Sequence, residues 1–270
     1  MTAFSIEMKH KNKLAIITGA AGGIGIAFAN HLAARKYNLL LTDIHSRTLK
    51  KIQHDLQAQH KIRVQITALD LSNQKQTAAF SKKIKRISSI DMLVNCAGYG
   101  EGKLFHKERI SDSLKMIHVH VISPVMLTHA VLKGMIKRKK GVIISVASMA
   151  AFLPAPGSSI YAGTKSFLNT FMESLHMEVE KHGIKIQSLC PGLTHTKFHS
   201  TLSEKGRNKK SFIHVPWMEA GEVVEYSLQC IDNNEVVCVP GFFNKSLKKL
   251  VPVVPRESFY KIAGNISRGA

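Results

Sequence analysis

The chain has 270 residues, 44% of them hydrophobic, and carries 38 Lys and Arg against 18 Asp and Glu for a formal net charge of +20. This composition is typical of a globular protein with a sizeable core and excludes a disordered or collagen-like chain. The four cysteines lack the paired spacing of a metal site, so we expect free thiols, a reducing compartment and no metal. No Gly-, Ser- or Pro-rich linker divides the chain, which predicts one domain over residues 1–270.

The first informative segment is a short apolar strand at residues 14–17 that runs into Thr18-Gly-Ala-Ala-Gly-Gly-Ile-Gly. Apolar residues at helical spacing follow at once, which predicts a strand, a tight turn and a helix. Such a turn lets a pyrophosphate approach the backbone, and the helix N-terminus supplies amide donors and a favourable dipole. The alternative is a glycine-rich turn without a ligand. The candidate cofactor contacts here are Gly19, Gly23, Ile24 and Gly25.

The next strand, at residues 38–42, ends at Asp43, which lies 20 residues after Gly23. A carboxylate at this position accepts hydrogen bonds from a free ribose 2′-hydroxyl and repels a 2′-phosphate. Asp43 therefore favours NAD(H), although His45 and Arg47 follow closely and NADP(H) is not excluded. The alternative role for Asp43 is an N-cap for the helix that starts near Ser46.

Further apolar strands at residues 91–95, 141–145 and 184–189 alternate with helical segments up to about residue 240. This alternation predicts βαβ units, and therefore an α/β, Rossmann-type, doubly wound parallel sheet of about seven strands with helices on both faces. Ligands bind at the carboxyl ends of the strands in such a sheet. The functional residues are expected to gather at that edge.

Two residues at helical spacing, Tyr161 and Lys165, form a candidate acid/base pair, and Ser148 stands thirteen residues before the tyrosine. Residues i and i+4 share one face of a helix, so the Lys165 ammonium is expected beside the Tyr161 phenol. A fixed cation favours the phenolate and lowers the pKa of a tyrosine from its ordinary value of about 10. Ser148 could then hold a carbonyl or alcohol oxygen. The alternative is a chance pairing on an amphipathic helix.

With these segments in view, the chain resembles the short-chain dehydrogenase/reductase family over nearly its whole length. The residue pattern at 191–198 and the proline-rich tail suggest a bacterial branch near long-chain ketoacyl and hydroxysteroid enzymes. The resemblance implies that Tyr161 and Lys165 also contact the cofactor, and it implies a homodimer or homotetramer. It adds the following cofactor-binding positions: Asp70, Leu71, Asn95, Ala97, Gly98, Pro191, Gly192 and Thr196.

The implied activity is NAD(P)-dependent hydride transfer between a secondary alcohol and a ketone. In that scheme Ser148 binds the substrate oxygen and Tyr161 exchanges the hydroxyl proton. Lys165 lowers the pKa of Tyr161 and holds the nicotinamide ribose.

The chain departs from the family at His120, because an asparagine is common at that place. The resemblance implies that the main-chain carbonyl there holds a water linking the lysine to solvent, which any residue can supply. An imidazole could also join a proton relay near its ordinary pKa of about 6.5, although a packed or solvated histidine is the favoured interpretation. A dinucleotide-binding sensor or scaffold that has lost catalysis is the alternative function.

Substrate choice is expected to depend on a lid at about residues 197–218 and a C-terminal extension at about 241–270. Apolar residues flank a polar, glycine-containing lid tip, which predicts an apolar pocket and a bulky ketone or secondary alcohol. The alternative is that these residues only pack the lid onto the core. The candidate wall residues are Phe198, Leu202, Phe212, Ile213, Val215, Trp217 and Met218.

Basic residues are spread over several elements, so the positive charge is expected to form a solvated surface. The alternatives are weak peripheral contact with an anionic membrane, an acidic acyl carrier, or a CoA substrate. No nucleic-acid-binding module accompanies the charge, so nucleic acid is not expected as a partner. The opening residues lack the apolar core of a signal peptide, and no apolar run approaches the roughly 20 residues that span a bilayer. A cytoplasmic protein is therefore expected.

Overall fold

The computed structural model describes residues 13–100, 102–196 and 216–268. Its centre is a seven-stranded parallel sheet with the strand order β3-β2-β1-β4-β5-β6-β9. A separate two-stranded pairing joins β7 to β8. The strands are β1 (Leu14–Thr18), β2 (Asn38–Asp43), β3 (Val64–Ala68), β4 (Met92–Asn95), β5 (Gly141–Val146), β6 (Ile184–Leu189), β7 (Thr194–His195), β8 (Met218–Glu219) and β9 (Val237–Cys238).

Helices connect the strands and cover both faces of the sheet. The helices are α1 (Gly23–Ala34), α2 (Ser46–His60), α3 (Gln74–Lys85), α4 (Ile110–Ile117), α5 (Ser123–Arg138), α6 (Ser159–Val179), α7 (Ala220–Asp232), α8 (Phe242–Leu250) and α9 (Arg256–Arg268). The predicted doubly wound α/β fold is therefore confirmed.

Two apolar cores lie on opposite faces of the sheet because successive residues of a strand point to opposite sides. On β1, Ala15 and Ile17 face a core completed by α1, α2 and α7, whereas Leu14 and Ile16 face a core completed by α3, α5 and α6. All four side chains are buried, which is typical of a central strand covered on both faces.

The segment from α4 to α5 is one long helix interrupted by a π turn at His118–Ile122. Over Ile110–Arg138 it has 29 residues and a mean hydropathy of 1.4 in its most apolar part, so by length and composition it could cross a membrane. The expectation that no segment is long and apolar enough is wrong for this helix. Half of that part is buried inside the fold, and the helix packs against α3 and β5, as a core helix does.

The C-terminal extension forms α8, a short turn at Val251–Val253, and α9. Asn244 on α8 donates a hydrogen bond to the Pro240 carbonyl and packs against Gly192. The extension is thereby joined to the segment that follows β6. Most of the predicted lid, residues 197–215, lies outside the described residues, and only Trp217 and Met218 of its proposed wall can be placed.

Candidate active site

The glycine turn and the segment after β4 are in direct contact at the carboxyl edge of the sheet. Gly19 has a φ of +64°, and a Cβ on this residue would lie 2.7 Å from Ala97 Cα. The Thr18 hydroxyl accepts hydrogen bonds from the amides of Cys96 (3.0 Å) and Ala97 (3.1 Å). Only glycine fits position 19 without strain, because L residues rarely adopt this φ and the added atom would strike main chain. The predicted cofactor segments therefore meet.

The N-terminus of α1 has the features that a pyrophosphate requires. The helix begins at Gly23, and Ile24 and Gly25 complete its first turn without an acidic side chain. The N-cap is Gly22, which offers no side-chain acceptor to these amides. A Cβ on Gly23 would strike the Thr196 side chain, so the segment after β6 lies directly against the turn. The amides and helix dipole fit an anionic dinucleotide.

Asp43 stands at the end of β2 beside the same turn. One carboxylate oxygen accepts the Ala21 amide at 3.0 Å, and the other accepts the His45 amide at 3.0 Å. His45, not Asp43, is the N-cap residue of α2. The alternative role of Asp43 as that cap is therefore wrong. Its carboxylate lies at the turn, as the ribose-binding role requires.

The Asp70-Leu71 pair lies where β3 leads into α3. The Asp70 carboxylate accepts the Ser72 amide at 2.8 Å, which forms a local turn, and its side chain is exposed. The buried Leu71 carbonyl accepts from the Ser123 hydroxyl at 2.9 Å and contacts His118 Nδ1 at 2.7 Å. Leu71 thus connects this loop to the π turn in the long helix.

Ser148 and Tyr161 face each other across the end of β5. Ser148 precedes a short helical turn and accepts the Ala150 amide at 3.1 Å. A hydrogen bond joins its side chain to Tyr161. The structure therefore brings the predicted serine and tyrosine into contact although twelve residues separate them in the chain.

Lys165 is buried one turn further along α6. Its Nζ donates to the Val146 carbonyl at 2.8 Å and lies 5.7 Å from the centre of the Tyr161 ring. Burial lowers the pKa of Lys165 to about 8. The same ammonium lies close to Gly98, which places the segment after β4 over it.

The expected lowering of the Tyr161 pKa by Lys165 is not what the structure shows. Burial raises the pKa of Tyr161, and the hydrogen bond from Ser148 is the influence that lowers it. Desolvation, which disfavours the charged phenolate, is the largest influence on this pKa. Tyr161 is therefore a neutral phenol, a proton donor, near pH 7.

His120 is buried within the π turn and makes two hydrogen bonds. Its Nε2 accepts the Tyr99 amide at 3.1 Å, so its Nδ1 carries the proton and contacts the Thr164 hydroxyl at 3.1 Å. The Thr164 hydroxyl donates to the Tyr161 carbonyl at 2.8 Å. Burial, and then the charge of Lys165, hold the pKa of His120 well below 6.5. The imidazole is a packed neutral group, which argues against a relay that titrates near pH 6.5.

Two contacts join the remaining predicted positions to this centre. The Pro191 carbonyl accepts the Met149 amide at 3.0 Å, so the segment after β6 abuts the residue next to Ser148. Asn95 donates from its side chain to Thr128 and Ser145, both at 3.2 Å. Asn95 thereby fastens the end of β4 to α5 and β5.

Comparison with known proteins assigns the family. Residues 13–207 match the family model of the short chain dehydrogenases. The chain belongs to the short-chain dehydrogenase family. The resemblance found in the sequence is thus confirmed.

This short-chain dehydrogenase is similar to named relatives that are longer than it is. The very-long-chain 3-oxoacyl-CoA reductase of Mus musculus is 33% identical over 68% of this chain and 60% of its own length. The human protein named inactive hydroxysteroid dehydrogenase-like protein 1 is 28% identical over 68% of this chain and 56% of its own length. The chain therefore spans less than two thirds of both relatives.

Solved structures of alcohol dehydrogenases share the fold of this short-chain dehydrogenase. The bulky-bulky ketone specific enzyme of Comamonas testosteroni is 25% identical, with a TM-score of 0.78 over 93% of this chain and 95% of that one. The enzyme of Thermococcus sibiricus, complexed with 5-hydroxy-NADP, is 25% identical, with a TM-score of 0.70 over 85% and 96%. A nicotinamide dinucleotide is the cofactor class that the second of these neighbours supports.

Three contributors to the site were missed from the sequence of this short-chain dehydrogenase. Thr164 links His120 to the tyrosine helix, Tyr99 supplies an amide to His120, and Asn244 supports Gly192. Thr164 could have been found, because it lies between Tyr161 and Lys165 on α6. Tyr99 and Asn244 carried no signal, since their partners lie 21 and 52 residues away.

Proposed function

We propose that this protein is an NAD(H)-dependent oxidoreductase that interconverts a secondary alcohol and a ketone. The observation that carries the proposal is the hydrogen-bonded Ser148–Tyr161 pair, with the Lys165 Nζ 5.7 Å from the tyrosine ring. The reactive pair lies at the carboxyl edge of the parallel sheet, where ligands bind in this architecture.

The residues that fit the cofactor surround this pair. The amides at the start of α1 suit the pyrophosphate, Asp43 suits the adenosine ribose, and Lys165 suits the nicotinamide ribose. A bound nicotinamide dinucleotide supplies or accepts the hydride. The preference for NAD(H) rests on the Asp43 carboxylate, which would repel a 2′-phosphate.

The protein's own residues manage the proton and the oxygen. Ser148 donates a hydrogen bond to the substrate oxygen and holds it beside Tyr161. Tyr161, a neutral phenol near pH 7 because burial raises its pKa, protonates the oxygen as a ketone is reduced. The buried Lys165 ammonium stabilises the resulting phenolate, which then takes up a proton from solvent. Alcohol oxidation uses the same groups in reverse.

A bulky apolar ketone or secondary alcohol is the proposed substrate class. Support comes from the names of relatives, one acting on very-long-chain 3-oxoacyl-CoA and one specific for bulky-bulky ketones. Trp217, which stacks on His195 with ring centres 5.0 Å apart, leaves part of its apolar surface exposed at the end of the lid segment.

Tyr161→Phe tests the catalytic assignment. With a panel of fatty acyl, steroid and short polyol compounds, the carbonyls assayed with NADH and the alcohols with NAD⁺, we expect turnover to fall about 10²–10⁴-fold. NADH affinity, followed by nucleotide fluorescence, should change less than about twofold, because the hydroxyl does not hold the pyrophosphate. Wild-type turnover by the variant would refute the role of Tyr161. Preference for the polyols would instead refute the substrate class.

A dinucleotide-binding sensor or scaffold is the second candidate function. It is favoured by His120 at the usual asparagine position and by a relative named inactive. The intact set of Ser148, Tyr161 and Lys165 opposes it. Tight NADH binding without turnover of any substrate in the panel would favour the sensor.

We also propose a cytoplasmic homodimer or homotetramer. The four free cysteines suit a reducing compartment. Apolar side chains on the outer faces of α4 and α6 are exposed and suit a subunit contact. They are Ile110, Leu114, Phe167 and Met177.

Weak contact with an anionic membrane is the proposed role of the basic surface. Phe242 (87% exposed) and Val253 (78% exposed) lie on the C-terminal extension, which also carries Lys248 and Lys249. Apolar side chains among lysines suit a lipid surface of negative charge. Binding to anionic but not neutral vesicles, weakened by salt, is the expected result. Binding to an acyl carrier protein without any binding to vesicles at low ionic strength would assign the surface to the carrier.

A further inference from the structure

Three side chains that commonly bind metals meet at the β9 edge of the sheet. They are Cys230 near the end of α7, Glu235 in the turn after it, and Cys238 on β9. Both sulfur atoms and one Glu235 carboxylate oxygen lie within 4.8 Å of one another. Cys230 Sγ is 2.6 Å from Glu235 Oε2, and the two thiols share a hydrogen bond. Ligands of one tetrahedral zinc ion stand about 3.5–3.8 Å apart, given Zn–S of about 2.3 Å and Zn–O of about 2.1 Å. An ion would therefore replace the Cys230–Glu235 hydrogen bond, and the exposed Glu235 carboxylate would move away from the thiol by about 1 Å.

The local backbone explains why these residues converge. After α7 the chain turns back, and the Glu235 amide donates to the Cys230 carbonyl at 2.8 Å. Asn234 adopts a φ of +59° within this turn. The chain then enters β9, where Cys238 pairs with Leu189 of β6. The two cysteines are eight residues apart in sequence, which is wider than the two- to four-residue spacing of common zinc motifs.

Burial and charge suit a bound cation. Cys230 and Cys238 are 3% and 0% exposed, so they form a shielded base, whereas Glu235 is exposed and leaves a path from solvent. Two thiolates and a carboxylate around a divalent ion leave one net negative charge. Lys245, whose ammonium lies 4.9 Å from the centre of the Tyr226 ring, is close enough to Glu235 and Cys230 to offset that charge.

We propose that Cys230, Glu235 and Cys238 bind a thiophilic divalent cation of the zinc class, with water as the fourth ligand. Thiolate ligands select such ions over magnesium or calcium. Binding displaces the two thiol protons to solvent. This proposal departs from the expectation of no metal that the cysteine spacing gave.

The role of the ion is structural. It would tie α7 to β9 two residues before Pro240, whose carbonyl accepts the Asn244 side chain. Because Asn244 packs against Gly192, the ion would strengthen the attachment of the C-terminal extension to a predicted cofactor segment.

Cobalt titration of the fully reduced, full-length protein tests the site. We expect thiolate-to-cobalt charge-transfer absorption that saturates at one equivalent and is abolished by Zn²⁺. This signal reports thiolate ligands specifically, so binding of cobalt to the 14 histidines does not imitate it. Zinc at about 100 times its Kd should raise the Tm by about 5 °C or more.

Variants separate this site from other thiols. Cys230→Ser and Cys238→Ser should each weaken cobalt binding about 100-fold or more. Glu235→Gln, an exposed change that the fold tolerates, should weaken it about 10-fold and keep the charge-transfer band. Cys96→Ala removes a thiol outside the cluster and should bind cobalt like the wild type.

Two results would overturn the proposal. One is a wild-type protein without the charge-transfer band, or with a band that persists in the Cys230→Ser/Cys238→Ser double variant. The other is thiol titration showing that Cys230 and Cys238 form a disulfide in air while the reduced protein binds no cobalt, which would assign the pair to redox chemistry instead.

Discussion

The two sides of the active site are held together by different kinds of contact. On the cofactor side, main chain meets main chain: Gly19 lies against Ala97, and the amides of α1 are left for a ligand. On the catalytic side, buried side chains are linked by hydrogen bonds, from His120 through Thr164 to the tyrosine helix. The cofactor side depends on glycine, which has no Cβ to block the close contact. The catalytic side depends on each buried hydrogen-bond donor having an acceptor. Substitutions should therefore fail for different reasons on the two sides.

The largest effect is expected from Gly19→Ala on the cofactor side. The φ of +64° and the 2.7 Å approach to Ala97 Cα leave no room for a methyl group. We expect a loss of about 2 kcal/mol or more in the free energy of unfolding and a Tm lower by about 4 °C or more. NADH affinity should fall about 10-fold or more, because the turn must shift. Thermal unfolding and nucleotide fluorescence measure the two effects.

Gly163→Ala is the matched control for this prediction. It makes the same substitution inside α6, where nothing lies within 4 Å of the added atom. Replacing a helical glycine should stabilise the protein by up to about 1 kcal/mol. If both variants changed the Tm in the same direction, the steric account of position 19 would fail.

Asp43→Ser should have the next largest effect, on cofactor choice. The carboxylate beside the turn would repel a 2′-phosphate, so its removal should raise the kcat/KM ratio for NADP(H) over NAD(H) about 10-fold or more, equal to about 1.4 kcal/mol. Asp70→Ser removes an exposed carboxylate, which accepts the Ser72 amide, and should leave the ratio unchanged. An equal shift in both variants would mean that general charge, not the Asp43 position, sets cofactor choice.

Leu114→Glu should have a smaller effect, confined to assembly. Leu114 is 57% exposed on α4, among other exposed apolar side chains. A buried carboxylate in a subunit contact is costly, so light scattering should show a shift from dimer or tetramer toward monomer. Leu250→Glu, at a residue 61% exposed on α8, should leave the mass unchanged. A wild-type monomer would remove the proposed assembly.

The two sides also differ in how far the sequence predicted them. The glycine turn could be predicted because the need for glycine there is set by neighbouring residues and follows a known pattern. The strands could be predicted from short apolar runs. The contact of Gly23 with Thr196 and the direction of the shift in the Tyr161 pKa could not be predicted, because both depend on groups distant in the chain. Charge proximity could be inferred from the spacing of Tyr161 and Lys165. The burial that raises the pKa of Tyr161 could not be inferred from that spacing.

His120→Asn should have the smallest effect and is the sharpest test of the catalytic side. Burial and the Lys165 charge hold the pKa of His120 well below 6.5, so the imidazole stays neutral from pH 6 to 8. An asparagine amide can still accept the Tyr99 amide and donate to Thr164. We therefore expect superimposable pH-rate profiles for wild type and variant, and a rate change within about threefold. A profile that loses an inflection near pH 6.5 would restore the histidine relay.

Stability at acid pH gives an independent measure of the protonation of His120. The unfolded chain binds a proton on His120 near pH 6.5, whereas the folded protein resists it, so this residue makes the wild type less stable as pH falls below that value. His120→Asn should remove that contribution and flatten the fall in Tm below pH 6.5. A variant whose Tm falls as steeply as that of the wild type would show that the histidine takes up its proton equally in the folded state. The hydrogen bonds that His120 accepts from Tyr99 and donates to Thr164 would then not hold its imidazole in the neutral form.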